Sequence, residues 1–189
     1  MRIGLNSFLY ASPFTTKSTS LFAKFKKWGF ATVEIPVEDP SHIDPVAVRA
    51  AAEKAGLAIG SICACMGPGR DFRGSEADQK AAMDYCVALI DQAAVMGCPR
   101  LIGPVYSVVG KADAVEPAQQ KIEWALVVKN LKVLAKHAEA KGITICIEPL
   151  NRFETDFLNT CDQGIKLIKA VKSKALKLHL DTFHMNIEE

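Results

Sequence analysis

Short apolar runs and longer amphipathic segments alternate along the whole chain, and this alternation limits the possible folds more than any other feature. Glycine marks the junctions, at the position where a left-handed helix end favours it. Strict alternation of strand and helix is typical of a parallel sheet covered by helices, so we predict an α/β protein. Four glycines each follow a candidate helix and precede a candidate strand: Gly29, Gly56, Gly97 and Gly142.

The periodicity of the apolar residues predicts the individual elements. Strands are expected at 2–7, 32–37, 57–64, 100–105, 143–149 and 176–181. Helices are expected at 16–28, 44–55, 75–96, 115–141 and 160–172. No linker, low-complexity segment or change of composition interrupts this series.

Two parallel-sheet folds fit such a series, the open doubly wound sheet and the (β/α)8 barrel. A dinucleotide-binding doubly wound domain carries G-x-G-x-x-G after its first strand. Here the first strand leads into NSFLYASPF, which contains no glycine. The GPGR at 67–70 is not followed by Lys-Ser or Lys-Thr, so a nucleotide-phosphate site is disfavoured.

The two faces of the strands favour the barrel. In ITICIE, three isoleucines share one face and Glu148 lies on the other; in LKLHLD, three leucines oppose Asp181. Asn6 lies on the polar face of the first strand in the same way. A doubly wound sheet is buried on both faces, so its strand sequences are apolar throughout. A barrel can instead hold a polar site in its upper lumen. The sequence therefore predicts a TIM-barrel type of fold, and its six strands predict an incomplete barrel of about six β/α units.

Composition excludes several classes of partner. The net charge is +2, from 23 basic and 21 acidic residues, which leaves no basic footprint for nucleic acid. No apolar run approaches the roughly 20 residues of a membrane span, and the first ten residues do not have the pattern of a signal peptide. The six cysteines form no Cys-x-x-Cys pair. We interpret them as reduced thiols and expect a cytoplasmic protein.

Glu148 and Asp181 are the main candidates for chemistry. Each follows an apolar strand at its carboxyl end, where a charged carboxylate is costly unless a cation, a metal or hydrogen bonds compensate it. Carboxylates on neighbouring parallel strands can share one divalent ion, and oxygen ligands suit Mg²⁺ or Mn²⁺. The alternative is that each caps the next helix or pairs with a nearby Lys or Arg.

Other polar residues near these ends have two open interpretations each. His184 could orient a substrate hydroxyl or transfer a proton, or it could be a surface histidine. Arg152 and Glu154 could contact a substrate or pair with each other. His179 faces the lumen by strand parity, and we interpret it as a core histidine with satisfied hydrogen bonds. Glu188 and its neighbour Glu189 are expected in the first turn of a further helix.

Two segments carry a resemblance to a known family. CIEPLNRFETDFLNT at 146–160 and LHLDTFHMNIEE at 178–189 resemble the ketose 3-epimerases. This is the D-tagatose 3-epimerase and D-psicose (D-allulose) 3-epimerase group of the sugar isomerase/epimerase TIM barrels. The resemblance implies a (β/α)8 barrel with one divalent ion, Mn²⁺, Co²⁺ or Mg²⁺. It also implies epimerisation of free ketohexoses at carbon 3 through an enediolate.

The resemblance also implies roles for matching residues. Glu148 would be a metal ligand and one of two catalytic glutamates, and Asp181 a second metal ligand. His184 and Glu154 would bind the substrate, and Asn6 is included among the expected substrate-binding residues. The family has a further metal-binding histidine on its seventh strand and a second catalytic glutamate on its eighth.

This sequence has six strands, so the expected organisation is one sugar isomerase/epimerase-like domain over 1–189 that lacks the last two β/α units. Completion of the barrel by a second chain is the alternative, and a homo-oligomer is expected. Two other functions stay open. One is another sugar isomerase or dehydratase of the same barrel group, such as an inosose dehydratase or a hydroxypyruvate isomerase. The other is a catalytically inactive fragment.

Overall fold

The computed structural model of the protein describes residues 2–189 and consists of alternating strands and helices. The strands are β1 (Gly4–Asn6), β2 (Thr32–Val37), β3 (Ala58–Ala64), β4 (Arg100–Gly103), β5 (Thr144–Ile147) and β6 (Leu176–Leu178). The helices are α1 (Phe22–Lys27), α2 (Pro45–Ala55), α3 (Glu76–Met96), α4 (Pro117–Lys141), α5 (Cys161–Val171) and α6 (Thr182–Glu188).

All six strands are parallel, and each pairs with the next one along the chain, from β1 at one edge to β6 at the other. A doubly wound sheet reverses its strand order near the middle, whereas a barrel keeps sequence order. The predicted TIM-barrel type of fold is confirmed, as a six-unit arc.

Strand parity places apolar and polar side chains as the sequence predicts. On β5, Ile145 and Ile147 are buried on the side of the core that packs against the helices. In register, Ile147 pairs with Leu178 on β6, and the main-chain N–H of His179 donates to the Ile147 carbonyl at 2.9 Å. Glu148 and His179 therefore follow side by side on the polar face.

Five of the six strands are shorter than predicted, and two differences in element boundaries have a clear local cause. The predicted helix at 16–28 begins as a 3-10 helix, Thr16–Leu21, before α1, because its Ser and Thr residues favour caps and turns over helix interiors. The strand predicted to reach 181 ends at Leu178, since Asp181 accepts a hydrogen bond from the Phe183 N–H at 2.7 Å and starts α6. The expectation that Glu188 lies in a first turn is therefore wrong, because it lies at the end of α6.

The helix ends agree with the glycine pattern. Gly56, Gly97 and Gly142 have φ values of 71°, 67° and 70°, in the left-handed region predicted for them. Across residues 2–189, no helix combines the length and the apolar character that a bilayer crossing requires.

Candidate functional site

A cavity of about 700 Å³ opens at the carboxyl ends of the strands. One wall is formed by the segment after β5 and by α6, and it carries Glu148, Glu154 and His184. The opposite wall follows β2 and β3 and carries Glu38 and Arg70. Ligand sites of TIM barrels lie at this end of the strands, so the cavity is the candidate functional site.

The main chain of Glu148 is held firmly at the end of β5. Its N–H donates to the Gly103 carbonyl at 3.0 Å, and its carbonyl accepts from the buried Tyr106 hydroxyl at 2.9 Å. Gly103 has a φ of 114°, and a Cβ there would lie 3.0 Å from the Ala64 carbonyl oxygen. Glycine is therefore required beside Glu148, where β3 and β4 approach closely.

Glu148, Asp181 and His184 converge. Each offers one nitrogen or oxygen atom, and these atoms lie within 4.8 Å of one another. His184 Nε2 is 4.0 Å from Glu148 Oε1 and 3.8 Å from Asp181 Oδ2. The sequence-based candidates on the fifth and sixth strands are thus neighbours in space.

Asp181 has the helix-capping role that the sequence left open, and its second oxygen remains available to the cluster. Its Oδ1 caps α6 by accepting from Phe183, and its Oδ2 faces His184. Glu148 does not cap α5, whose N-cap is Thr160. Within residues 2–189, the only basic groups within 4.0 Å of the two carboxylates are imidazoles.

His179 lies closer to the site than the sequence analysis placed it. Its Nδ1 is 3.4 Å from Glu148 Oε2, is buried, and has no hydrogen-bond partner of normal geometry among the described residues. Burial disfavours the charged imidazole, but Glu148, Glu34 and Asp181 outweigh it and raise the pKa of His179 above its ordinary value. The interpretation as a satisfied core histidine is therefore wrong. Strand parity already indicated the correct face.

Glu34 lies deeper in the lumen and was not among the sequence-based candidates. The Ser61 hydroxyl donates to its Oε2 at 2.6 Å. Burial raises the pKa of Glu34 above its ordinary value, although this hydrogen bond opposes the shift. Asn6 lines a separate cavity of about 240 Å³ with Glu34 and Ser61, and its side chain accepts from the Phe8 N–H at 2.9 Å. The structure thus does not bring Asn6 into the larger cavity.

Asn151, which the sequence analysis did not single out, links two of the candidates. Its main-chain N–H donates to His184 Nδ1 at 3.1 Å. Its side-chain Nδ2 lies 2.8 Å from Glu154 Oε1 and 2.9 Å from His184 Nδ1. A main-chain N–H can only donate, so Nδ1 accepts, and the neutral ring carries its proton on Nε2. Glu148, Asp181 and His184 are the described residues whose donor atoms lie close enough together to hold a metal.

Arg152 does not pair with Glu154. Its guanidinium forms two hydrogen bonds of 2.9 Å to Glu188, and its main-chain N–H donates to the same carboxylate at 2.7 Å. This pair attaches α6 to the segment after β5. The pairing of Arg152 with Glu154 that the sequence left open is therefore wrong.

A buried ionic cluster fastens the loops that form the cavity wall. Arg73, after β3, lies 2.7 Å from Glu123 on α4 and 2.7 Å from Asp156, after β5. Burial disfavours the charge on Arg73, but Asp156 and Glu123 more than compensate and raise its pKa. Lys111, after β4, completes the cluster at 3.3 Å from Asp71. Three loops are thus held together beside Glu154.

Comparison with known proteins agrees with this geometry. The family model described as xylose isomerase-like TIM barrel matches residues 22–189. A probable ketose 3-epimerase of Synechocystis sp. is 30% identical over 100% of this chain and 65% of its own length. An L-ribulose 3-epimerase of Mesorhizobium japonicum is 32% identical over 100% of this chain and 63% of its own.

Solved structures give the same result. A D-allulose 3-epimerase from Methylomonas sp. in complex with D-allulose superposes with a TM-score of 0.91 at 25% identity, over 100% of this chain and 65% of that one. The chain spans just under two thirds of the length of these relatives. The predicted resemblance to ketose 3-epimerases is confirmed, and the chain belongs to the xylose isomerase-like TIM barrel family.

Proposed function

We propose that the chain provides the metal-binding carboxylates and one catalytic base of a ketose 3-epimerase, within one sugar isomerase/epimerase-like domain. The observation that carries the proposal is the convergence of Glu148, Asp181 and His184 at the ends of β5 and β6. The relatives named ketose, D-psicose and L-ribulose 3-epimerases support the same reaction class.

The donor set fits a divalent cation. Two carboxylates face each other without a Lys or Arg within 4.0 Å among residues 2–189, and Glu148 is only 7% exposed. A buried carboxylate beside a second, partly exposed one is costly unless a cation compensates the charge. Glu148 and Asp181 would hold Mn²⁺, Co²⁺ or Mg²⁺, and the bound ion would stabilise the negative charge that develops on the sugar oxygens.

Glu148 is the proposed base. Its carboxylate accepts the proton from carbon 3 of the ketose, and the C–H electron pair becomes the new bond between carbons 2 and 3 while the carbonyl oxygen takes the negative charge. A proton returned to the opposite face gives the epimer. The resemblance assigns that second step to a glutamate on an eighth strand, so Glu148 accounts for one face of the sugar only.

His184 and Glu154 are the proposed sugar-binding groups. With its proton on Nε2, His184 donates to a hydroxyl or carbonyl oxygen in the cavity. Glu154, which also lines the cavity, accepts from a hydroxyl. Together they hold carbon 3 within reach of Glu148.

Deuterium exchange tests the proposal on this chain directly. With Mn²⁺ and D-fructose or D-psicose in D₂O, we expect the chain to incorporate deuterium at carbon 3 of at least one ketose, detected by NMR. Glu148→Gln should abolish the exchange, because an amide cannot accept the proton. Glu116→Gln is the control, since Glu116 is exposed and makes no capping hydrogen bond at the start of α4. Absence of exchange in the unmodified chain, or undiminished exchange in Glu148→Gln, would refute the role of Glu148.

The six cysteines bear on the proposed compartment. All six are free thiols in the structure. Free thiols persist in a reducing compartment, so we place the enzyme in the cytoplasm, acting on a small free ketose.

A further inference from the structure

We propose that Asn151 is a positioning residue that keeps the proton of His184 on Nε2 and orients Glu154 toward the sugar. The functional meaning rests on the proposed epimerase site. The geometric claim itself concerns only Asn151, Glu154 and His184 and can be tested without metal or sugar.

The orientation of the Asn151 amide is fixed by its own turn. Asn151 is 2% exposed, and its Oδ1 accepts from the Phe153 N–H at 3.0 Å. This turn, in which an Asn oxygen bonds the main chain two residues on, distinguishes the amide oxygen from the amide nitrogen. Nδ2 is therefore the atom that faces Glu154 and His184.

Within residues 2–189, both hydrogen-bond partners of His184 Nδ1 are donors, and both belong to Asn151. The main-chain N–H lies at 3.1 Å and the side-chain Nδ2 at 2.9 Å. A proton on Nδ1 would oppose both donors, so the neutral ring keeps its proton on Nε2. That nitrogen faces the cavity cluster, 3.8 Å from Asp181 Oδ2. His184 is therefore a hydrogen-bond donor to the cavity rather than a metal ligand.

The same amide separates two acceptors. Glu154 Oε1 lies 4.0 Å from His184 Nδ1, and Nδ2 of Asn151 lies between them, 2.8 Å from the carboxylate. The Glu154 side chain is 37% exposed, and its hydrogen bond to Asn151 Nδ2 holds its carboxylate in place beside the cavity. One buried amide thus sets the directions of both sugar-binding groups.

Asn151→Asp tests the proposal with little change in shape. An aspartate retains an oxygen for the turn with Phe153, but it presents a second oxygen, in place of the donor, to Glu154 and His184. The main-chain N–H still donates to Nδ1 at 3.1 Å, but the new oxygen opposes it, so we expect a larger fraction of His184 rings to carry a proton on Nδ1. The measurement is the side-chain ¹⁵N spectrum of the metal-free, sugar-free chain. The sequence has only four histidines, and His184→Gln assigns the signal.

Asn159→Asp is the matched control. Asn159 lies in the same segment, and its amide donates to the Leu150 and Thr155 carbonyls at 2.9 Å each, without touching His184. It should lower the melting temperature and leave the His184 proton on Nε2.

The histidine spectra of the three proteins decide between a role of Asn151 in positioning the proton and no such role. The proposal holds if the unmodified chain carries the proton on Nε2, Asn151→Asp raises the fraction of rings with a proton on Nδ1 and Asn159→Asp does not. It is overturned if the unmodified chain carries the proton on Nδ1, if Asn151→Asp changes nothing, or if both variants act alike. Failure of the epimerase assignment would instead appear as absent deuterium exchange at carbon 3, with these spectra unaffected.

Discussion

At the scale of residues, single side chains in the site each make two different contacts. Asp181 caps α6 with one oxygen and faces the cluster with the other. Strand parity alone found Glu148 and Asp181, because side chains alternate between two faces with a period of two. It could not find Asn151 or Arg73, because both lie in loops, where side chains have no period of two, and their partners His184 and Glu123 are 33 and 50 residues away in sequence.

The first prediction concerns Arg73. Arg73→Met removes the buried cation, which leaves Asp156 without its ion-pair partner and Glu123 with Lys111 at 3.5 Å, so we expect a loss of about 3–5 kcal/mol in the free energy of unfolding. Urea denaturation measures it. Arg49→Met is the control, because Arg49 forms an exposed pair with Glu53 and should cost less than about 1 kcal/mol. Equal losses in the two variants would contradict a structural role for the buried cluster.

At the scale of elements, helix ends marked by glycine were predictable, and the start of α6 was not. A helix that ends in the left-handed conformation needs a glycine at that position, so the glycine in the sequence marks the helix end directly. Asp181 could equally have ended a strand or capped a helix, and only the Phe183 N–H decides between them. The contacts between elements are likewise set by distant residues, as the α3 and α4 pair illustrates.

The second prediction concerns that pair. Asp91 on α3 lies 2.8 Å from Lys141 and 3.0 Å from His137, both on α4. Lys141, with His137, holds the pKa of Asp91 below its ordinary value of 3.8. A carboxyl with a lowered folded-state pKa stabilises the fold above its unfolded value, and this contribution disappears as the pH falls through the lowered one.

Asp91→Asn should therefore be less stable than the unmodified chain at neutral pH, and the difference should shrink once the pH falls below about 3.8. Because the pair is half-exposed, salt should also reduce the difference. Thermal unfolding at several pH values measures this. Asp84→Asn, which breaks only the exposed Lys80 pair within α3, is the control. A difference that grows toward acid pH would contradict the account.

At the scale of the whole molecule, the sheet is an arc with two edges. Within residues 2–189, β1 and β6 each pair on one side only. Apolar side chains lie exposed beside both, Ile3 at 59% next to β1 and Leu180 at 53% just after β6. Unpaired edges with apolar neighbours promote association between chains.

The third prediction is that the 189-residue chain self-associates through these edges. Ile3→Lys should weaken the association, because a charge beside an edge strand opposes pairing. Val133→Lys is the control, since Val133 is similarly exposed, at 56%, but lies on α4. Sedimentation velocity over a range of concentrations measures it. A monomer at every concentration, or equal effects of the two variants, would contradict the edge model.

The most direct test of the account is the titration of the metal-free chain with Mn²⁺, followed by calorimetry. The account predicts one ion per chain, with binding strongly weakened by Glu148→Gln and by Asp181→Asn and unchanged by Glu116→Gln. Binding that is absent, or that survives both substitutions, would contradict the claim that Glu148 and Asp181 form one metal site.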